Sequence, residues 1–283
     1  MLGLIVDAFV TEKLFSGNPA GVCLIPKGEN LSAELMQNIA SELKHSETAF
    51  VQVLSNEKES LVCSLRWFTP SVEVALCGHA TLASAAALSF SKHWDPVTSP
   101  SVTFRTLYSG DLIVKALGNN FFQMDFPLLP VEKETVNDEL LAALGLTREH
   151  VVYFGKSKFD VFIQVHNQTL VEGLAPVFDR LVQVPGVERG VIVTSFADTS
   201  ENADFCSRFF APWTGVPEDP VTGSAHCSLA YYWSRQLGKS QLVGVQLSSR
   251  RGRVSLNVEK ESSHRVQLGG EARIVLSGNF PFL

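Results

Sequence analysis

Short runs of β-branched and aromatic residues alternate with turn-forming residues through the first part of the chain. Such runs, bounded by Gly, Pro, Asn, Asp and Ser, are typical of β-strands. The segment from Ser32 to Lys44 differs, because Leu35, Ile39 and Leu43 recur at helical spacing behind a serine that suits a helix N-cap. The pattern predicts an amphipathic helix here and strands at residues 4–10, 21–25, 48–53, 61–68 and 101–116.

A similar pattern begins again after residues 117–120. Further strand-like runs and two predicted helices, near residues 137–144 and 176–182, lead to a third helix that starts at Ser224. We therefore predict two domains, residues 1–118 and 119–271. Composition alone leaves open which of the two the last segment, residues 272–283, joins.

Two stretches show why the halves look alike. They read EVALCGHATLASAAALSF from Glu73 and EDPVTGSAHCSLAYYW from Glu218, and the offset of 145 residues also carries Gly78 onto Gly223. In each, an acid precedes a turn of small residues that opens an apolar helix. The first of these helices is apolar on nearly every face, which is typical of a fully buried helix. We predict an α+β fold of two similar domains, each a curved sheet wrapped around a central helix.

Composition excludes several classes of function. The chain has 283 residues and a net charge of −6, with 45% hydrophobic and 18% charged residues, and its longest basic run is Arg250-Arg251. Neither nucleic acid nor an anionic membrane is an expected partner. The first residues lack the features of a signal peptide, and the longest weakly polar stretch, residues 80–90, is too short for a membrane span, so we predict a cytoplasmic protein. Five cysteines without a C-x-x-C pair indicate reduced thiols.

The helix starts are candidate binding sites for a small carboxylic acid. The first turn of a helix carries partial positive charge and unpaired N–H groups that donate hydrogen bonds to an anion, and a glycine there lets a ligand approach the backbone. Gly78 and Gly223 therefore have two interpretations, substrate binding or close packing, and their repetition favours binding. Ser224 follows Gly223, and His79 follows Gly78, where its ring suits an acid, a base or a hydrogen-bond donor.

Glu47 is the strongest catalytic candidate, because it lies where a predicted helix ends and a predicted strand begins. Burial there would raise its pKa toward the range that suits a base acting on carbon. The alternative is a solvated acid at a strand end. Asp219 is similar, with loop capping as its alternative, and His226 is a weaker candidate. Cys77 would serve a two-thiol racemase only if its repeat counterpart were also cysteine, but that residue is Thr222. We therefore interpret Cys77 as a small packed residue.

Four separated motifs carry a family resemblance. FSGNPAGV, SETAFV, LRWFTPSVEVALCGHATLA and EDPVTGSAH together resemble the PhzF family of phenazine biosynthesis-like proteins, and its animal members in particular. The resemblance implies the diaminopimelate epimerase-like fold, an active site in the cleft between the two domains, a homodimer, and neither a metal nor an organic cofactor. It also implies that Glu47 is the proton-shuttling acid/base. Residues expected to hold and polarise the substrate are Gly78, His79, Asp219 and Ser224, with Gly223 beside them at the repeated helix start.

Two hypotheses about function follow. In the first, the chain is a cofactor-independent isomerase that moves a proton between carbons of a small cyclic or amino carboxylic acid. In the second, it is a non-catalytic binding or scaffold protein that retains the fold, since a fold does not determine a function. Intact candidate residues favour the isomerase. A two-base epimerase is disfavoured by Thr222.

Overall fold

The computed structural model describes residues 1–57, 60–259 and 264–281. The α-helices in these ranges are α1 (Ala33–Leu43), α2 (Gly78–Phe90), α3 (Asp138–Leu144), α4 (Gln168–Glu172), α5 (Phe178–Leu181) and α6 (Gly223–Leu237). The strands are β1 (Leu2–Ala8), β2 (Asn18–Ile25), β3 (Thr48–Glu57), β4 (Ser60–Phe68), β5 (Glu73–Val74), β6 (Ser101–Arg105), β7 (Asp111–Ala116), β8 (Phe121–Pro127), β9 (Val131–Lys133), β10 (Val151–Ser157), β11 (Asp160–Val165), β12 (Gly190–Phe196), β13 (Phe205–Ala211), β14 (Val216–Glu218), β15 (Gln241–Gln246), β16 (Gly252–Val258) and β17 (Arg265–Asn279).

The chain divides into two compact units. The first comprises Met1–Asp125 with Gly269–Leu283, and the second comprises Phe126–Leu268. The boundaries predicted from the sequence, after residue 118 and before residue 272, differ from these limits by seven and three residues. Residues 282–283 of the predicted last segment lie outside the described residues.

Eight strands of the first unit close into a barrel. Pairing runs from β1 through β2, β3, β4, β6, β7 and β8 to β17, which returns to β1. Two of these neighbours, β2–β3 and β4–β6, are parallel, and each such step is bridged by a helix, as a parallel connection requires. The last segment of the chain thus completes the barrel of the first unit.

Helix α2 is the central helix of this barrel. It contacts β1, β2, β3 and β7, and every side chain from His79 to Leu88 is buried. Six of these ten residues are alanine or serine, so strands approach the helix closely on all sides. The predicted burial of this helix is confirmed, and its lack of a polar face is the feature that predicted it.

The second unit repeats this topology. Its strands β10, β11, β12, β13, β15 and β16 pair in the same alternation of antiparallel and parallel neighbours as β1 to β7 of the first unit. Helix α6 contacts β9, β15 and β16 and buries most of its side chains, including Trp233. The predicted architecture, an α+β fold with a central helix in each half, is confirmed.

The repeated acid before each central helix is bound by an arginine on the neighbouring strand. Arg66 donates two hydrogen bonds to Glu73, at 2.7 and 2.8 Å, and its guanidinium lies over the Phe68 ring. In the second unit Arg208 binds Glu218 in the same way, at 2.7 and 2.9 Å, over the Phe210 ring. Bidentate pairs of this kind are geometrically specific. The acid therefore anchors the short edge strand that leads into the helix.

The other local predictions have mixed outcomes. Helix α1 is confirmed, with Ser32 capping it by accepting a hydrogen bond from the backbone N–H of Leu35. The predicted helix at 176–182 shortens to α5, and the last strand begins at Arg265 rather than 272.

All five cysteines lie in the described ranges, are buried and form no disulfide. Within those ranges no helix has both the length and the apolar character to cross a membrane.

Enlarging a side chain of the enclosed helix tests this packing. Ala83 is fully buried in α2, so Ala83→Leu should lower the free energy of unfolding by about 1–3 kcal/mol through overpacking. Ala33→Leu is the matched control, because Ala33 is exposed on α1 and surface changes stay within about 0.5 kcal/mol. The measurement is urea unfolding of both variants. Equal losses would contradict the enclosure of α2.

Candidate active site

Strand β2 supplies the frame of the site in the first unit. Gly17 precedes it with a φ of 81°, and a side chain there would meet the Ala8 carbonyl oxygen at 2.4 Å. Asn18 follows with its side chain buried. Gly21 donates a backbone hydrogen bond to the Glu47 carbonyl at 3.2 Å, at a point where a Cβ would lie 2.8 Å from Thr48. The glycines of the motif SGNPAGV therefore allow the close approach of strands that positions Asn18 and Glu47.

Glu47 lies directly before β3, with about a fifth of its side chain exposed. Burial raises the pKa of this carboxyl above its ordinary value, and the nearby side chains of Ser46 and Cys77 oppose the shift only in part. A carboxyl in this state takes up and releases a proton closer to neutral pH than an exposed glutamate does.

His79 and Cys77 come to Glu47 from the start of α2. The Nε2 atom of His79 lies 3.4 Å from Oε2 of Glu47, which is within ion-pair range but longer than an ordinary hydrogen bond. On the other side of the ring, Nδ1 lies 3.3 Å from Asn18 Nδ2 and 3.5 Å from Cys77 Sγ. An amide nitrogen only donates, so in this orientation Nδ1 is the acceptor and the ring proton of a neutral His79 sits on Nε2, facing Glu47.

The second unit has its own polar group at the start of α6. Thr222 Oγ1 donates to the Asp219 carboxylate at 2.5 Å. Gln246 holds the same loop, because its side chain accepts from the Thr222 backbone N–H at 2.9 Å and donates to the Asp219 carbonyl at 2.7 Å. Gly223 and Ser224 follow, half-buried, and a Cβ at Gly223 would meet no atom within 4 Å. The backbone at Gly223 is therefore accessible within its unit.

Both central helices begin without a side-chain cap. Neither Cys77 nor Thr222, the N-cap residues of α2 and α6, bonds to its first turn, whereas Ser32, Asn137 and Asn167 cap α1, α3 and α4. Gly78 and Gly223 are each the first residue of their helix.

The structure groups the predicted residues by unit. Glu47 and His79 meet in the first unit, while Asp219, Gly223 and Ser224 lie together in the second. His226 is fully buried, its Nδ1 lies 2.8 Å from the Thr222 carbonyl oxygen, and burial lowers its pKa to about 4, so it is a neutral packed side chain.

Two residues of the first unit were not predicted as site residues. Cys77 is buried, as expected of a packed residue, but its thiol also contacts both Glu47 and His79. Its interpretation as a packed residue is confirmed, and these contacts are what the sequence did not predict. Asn18 was part of a motif but was assigned no role, although a buried asparagine between Gly17 and Pro19 at the start of an apolar strand is a signal that sequence analysis could have used.

Comparison with known proteins identifies the family. The family model described as phenazine biosynthesis-like protein matches residues 6–278. The chain belongs to the PhzF family. A PhzF-family relative in Halalkalibacterium halodurans, named an uncharacterized isomerase, is 41% identical over 96% of this chain and 95% of its own length. The phenazine biosynthesis-like domain-containing protein of Bos taurus is 40% identical over 97% of this chain and 96% of its own.

A solved structure supports the same assignment. The PhzF-family protein of Enterococcus faecalis covers 98% of this chain and 97% of its own, with a TM-score of 0.85 and 35% identity. The predicted resemblance to the PhzF family, including its animal members, is confirmed. So is the diaminopimelate epimerase-like fold that the resemblance implied.

Removing the buried charge of Glu47 should stabilise this PhzF-family chain. Because the folded-state pKa is raised, the native state holds the proton at pH values where the unfolded chain has lost it. Stability contributed by this group is therefore greatest below the ordinary pKa of about 4.3 and falls as pH rises through the folded value. We expect Glu47→Gln to unfold at higher urea than the parent at pH 8, by roughly 1 kcal/mol. The difference should shrink toward pH 4.

The control for this prediction is Glu42→Gln, which changes an exposed glutamate of α1. It should change the free energy of unfolding at pH 8 by no more than about 0.5 kcal/mol, as expected of a surface substitution. If Glu47→Gln is less stable than the parent at pH 8, the Glu47 carboxylate is net stabilising and the burial argument is wrong.

Proposed function

We propose that the chain is a cofactor-independent isomerase that moves a proton between carbons of a small carboxylic acid, cyclic or amino, with Glu47 as the acid/base. Relatives at 41% and 43% identity are named as isomerases, which supports the reaction class. The observation that carries the proposal is the Glu47 carboxyl itself. It is held beside His79 Nε2 in partial burial that raises its pKa.

The proposed reaction requires one group to take a proton from one carbon of the substrate and to donate it to another. The Glu47 carboxylate accepts the proton and becomes a carboxylic acid, while the electron pair of the broken C–H bond stays on the substrate as a delocalised anion. The acid then donates its proton to the second carbon and is regenerated. A raised pKa serves both halves of this cycle, because it brings the proton-accepting and proton-donating forms of the carboxyl closer in free energy at neutral pH than in an exposed glutamate.

The neighbours of Glu47 suit this cycle. His79, with its proton on Nε2, faces the carboxylate and stabilises it between turnovers, and Asn18 maintains that tautomer by donating to Nδ1. The uncapped first turn of α2 offers partial positive charge to a substrate carboxylate. Substrate binding by Asp219, Gly223 and Ser224 in the second unit stays a prediction from the family resemblance. The homodimer and the cytoplasmic location also stay predictions.

Thr222 argues against a two-thiol mechanism. The position that would carry the second thiol holds a hydroxyl, and that hydroxyl donates to Asp219. A single acid/base that returns the proton is therefore the mechanism that these residues support.

Substituting Glu47 tests the mechanism once a substrate is known. A thermal-shift screen of cyclic and amino carboxylic acids identifies ligands, because a molecule that binds only the native state raises stability. With a substrate so identified, Glu47→Gln should lower turnover by about 10²- to 10⁴-fold, the usual contribution of a general acid/base, with little change in affinity. In heavy water the parent should place deuterium on the substrate carbon.

Glu42→Gln serves as the control and should keep parental turnover and parental exchange. If Glu47→Gln exchanges deuterium at the parental rate, the base is another residue. If ligands bind but neither turnover nor exchange occurs with the parent protein, the non-catalytic binding protein is the better description.

A further inference from the structure

Three side chains around Glu47 form a group that the proton transfer does not fully use. One ligand-type atom each from Glu47, Cys77 and His79 lies within 4.8 Å of the other two. The three side chains come from the end of the α1–β3 connection and from the first residues of α2. Cys77 in particular has no part in the proposed reaction, although its thiol contacts both other members.

The residue types of this group suit a tetrahedral metal site, and their spacing is close to what such a site needs. Bonds of about 2.3 Å to sulfur and about 2.0–2.2 Å to nitrogen and oxygen place the ligand atoms of such an ion roughly 3.3–3.7 Å apart. Here Cys77 Sγ lies 3.5 Å from His79 Nδ1, whereas Glu47 Oε2 lies 3.4 Å from the other ring nitrogen, Nε2. One ion binds only one of these nitrogens, so the Cys77 or His79 side chain must rotate to close the remaining separation, which is at most 4.8 Å. Three protein ligands leave a fourth position for water, as in open zinc sites.

We propose that Glu47, Cys77 and His79 bind one thiophilic divalent cation, of which Zn²⁺ is the natural representative, and that the bound ion inhibits the isomerase. The inhibition rests on the proposed function, because the ion occupies the carboxylate that would otherwise take the substrate proton. As the metal–sulfur bond forms, the Cys77 thiol releases its proton to solvent, so binding strengthens as pH rises.

Asn18 completes the site as a positioning residue. The nitrogen of a ligating histidine that does not bind the metal usually meets a hydrogen-bond partner that orients the ring. The Asn18 amide lies 3.3 Å from His79 Nδ1, and a half-turn of that amide presents its oxygen to an Nδ1 proton when Nε2 is the ligand. One residue thus supports either tautomer of His79.

The thiols of Cys63 and Cys23 lie outside this group of three side chains. Cys63 is fully buried in β4, and burial raises its pKa to about 12, so it stays protonated at neutral pH. Cys23 on β2 is in the same state, with a pKa of about 12. A thiolate, not a thiol, is the metal ligand, so Cys63 offers a matched control for the loss of a thiol outside the site.

Cobalt titration of the full-length protein tests the site without any substrate. The parent should bind one Co²⁺ per chain with a thiolate-to-cobalt absorption band in the near ultraviolet, and one equivalent of Zn²⁺ should remove that band. Cys77→Ser should abolish the band and weaken Zn²⁺ binding by at least about 100-fold, and Asn18→Ala should weaken it by about 10- to 100-fold. Cys63→Ala should keep the band, with near-ultraviolet circular dichroism confirming that each variant is folded.

Each outcome decides between the parts of the proposal. A band that persists in folded Cys77→Ser, or its absence from the parent, overturns the site and leaves the proposed isomerase intact. A chain that binds Zn²⁺ through Cys77 but has no isomerase activity supports the site and removes the proposed function. If an identified activity is unaffected by one equivalent of bound Zn²⁺, the inhibition is wrong, whereas loss of activity that a chelator restores supports it.

Discussion

Enclosure of a helix by strands on all sides is the constraint on which the rest of the first unit depends. Strands approach α2 closely only because its buried side chains are mostly small, and a helix without a polar face has no solvated side on which to place chemistry. The hydroxyls of Thr81 and Ser84 donate to backbone carbonyls one turn earlier, at Cys77 and Ala80. The polar groups left for other contacts therefore lie at the start of the helix, at Cys77, Gly78 and His79. The neighbouring strand β2 and the residue before β3 bring Asn18 and Glu47 to the same place.

In this arrangement the carboxyl proposed as the acid/base lowers the stability of the fold. A half-buried carboxylate is destabilising, and the neighbouring polar side chains of Ser46, Cys77 and His79 offset part of that cost for Glu47. The same neighbouring side chains hold a carboxyl whose pKa has been raised by burial, and a raised pKa is the property that the proposed acid/base requires. Such tension is common at active sites, where a strained or charged group reduces stability.

Comparison of the two units distinguishes residues that maintain the fold from the residue proposed as the acid/base. The bidentate pairs Arg66–Glu73 and Arg208–Glu218 occur before both central helices, so the repeated acid belongs to the scaffold. The proposed acid/base, in contrast, stands at a position that differs between the repeats. The residue directly before the third strand of each repeat is Glu47 in the first unit, whereas in the second it is Arg189, which Asp160 binds through two hydrogen bonds. Only the first unit therefore presents a carboxyl in this position.

The sequence by itself determined the architecture. The 145-residue repeat predicted two similar halves. The helix after Gly78 predicted enclosure, because a helix with apolar side chains on every face must be buried on every face. Four motifs indicated the family, and with it Glu47 and His79. Tertiary structure decided what no local pattern contains. The repeated glutamate pairs with an arginine on another strand, Cys77 faces Glu47 and His79 rather than only packing, and Asn18 reaches a histidine 61 residues away. Most of these contacts join different strands and helices, and their geometry exists only once those elements have packed together.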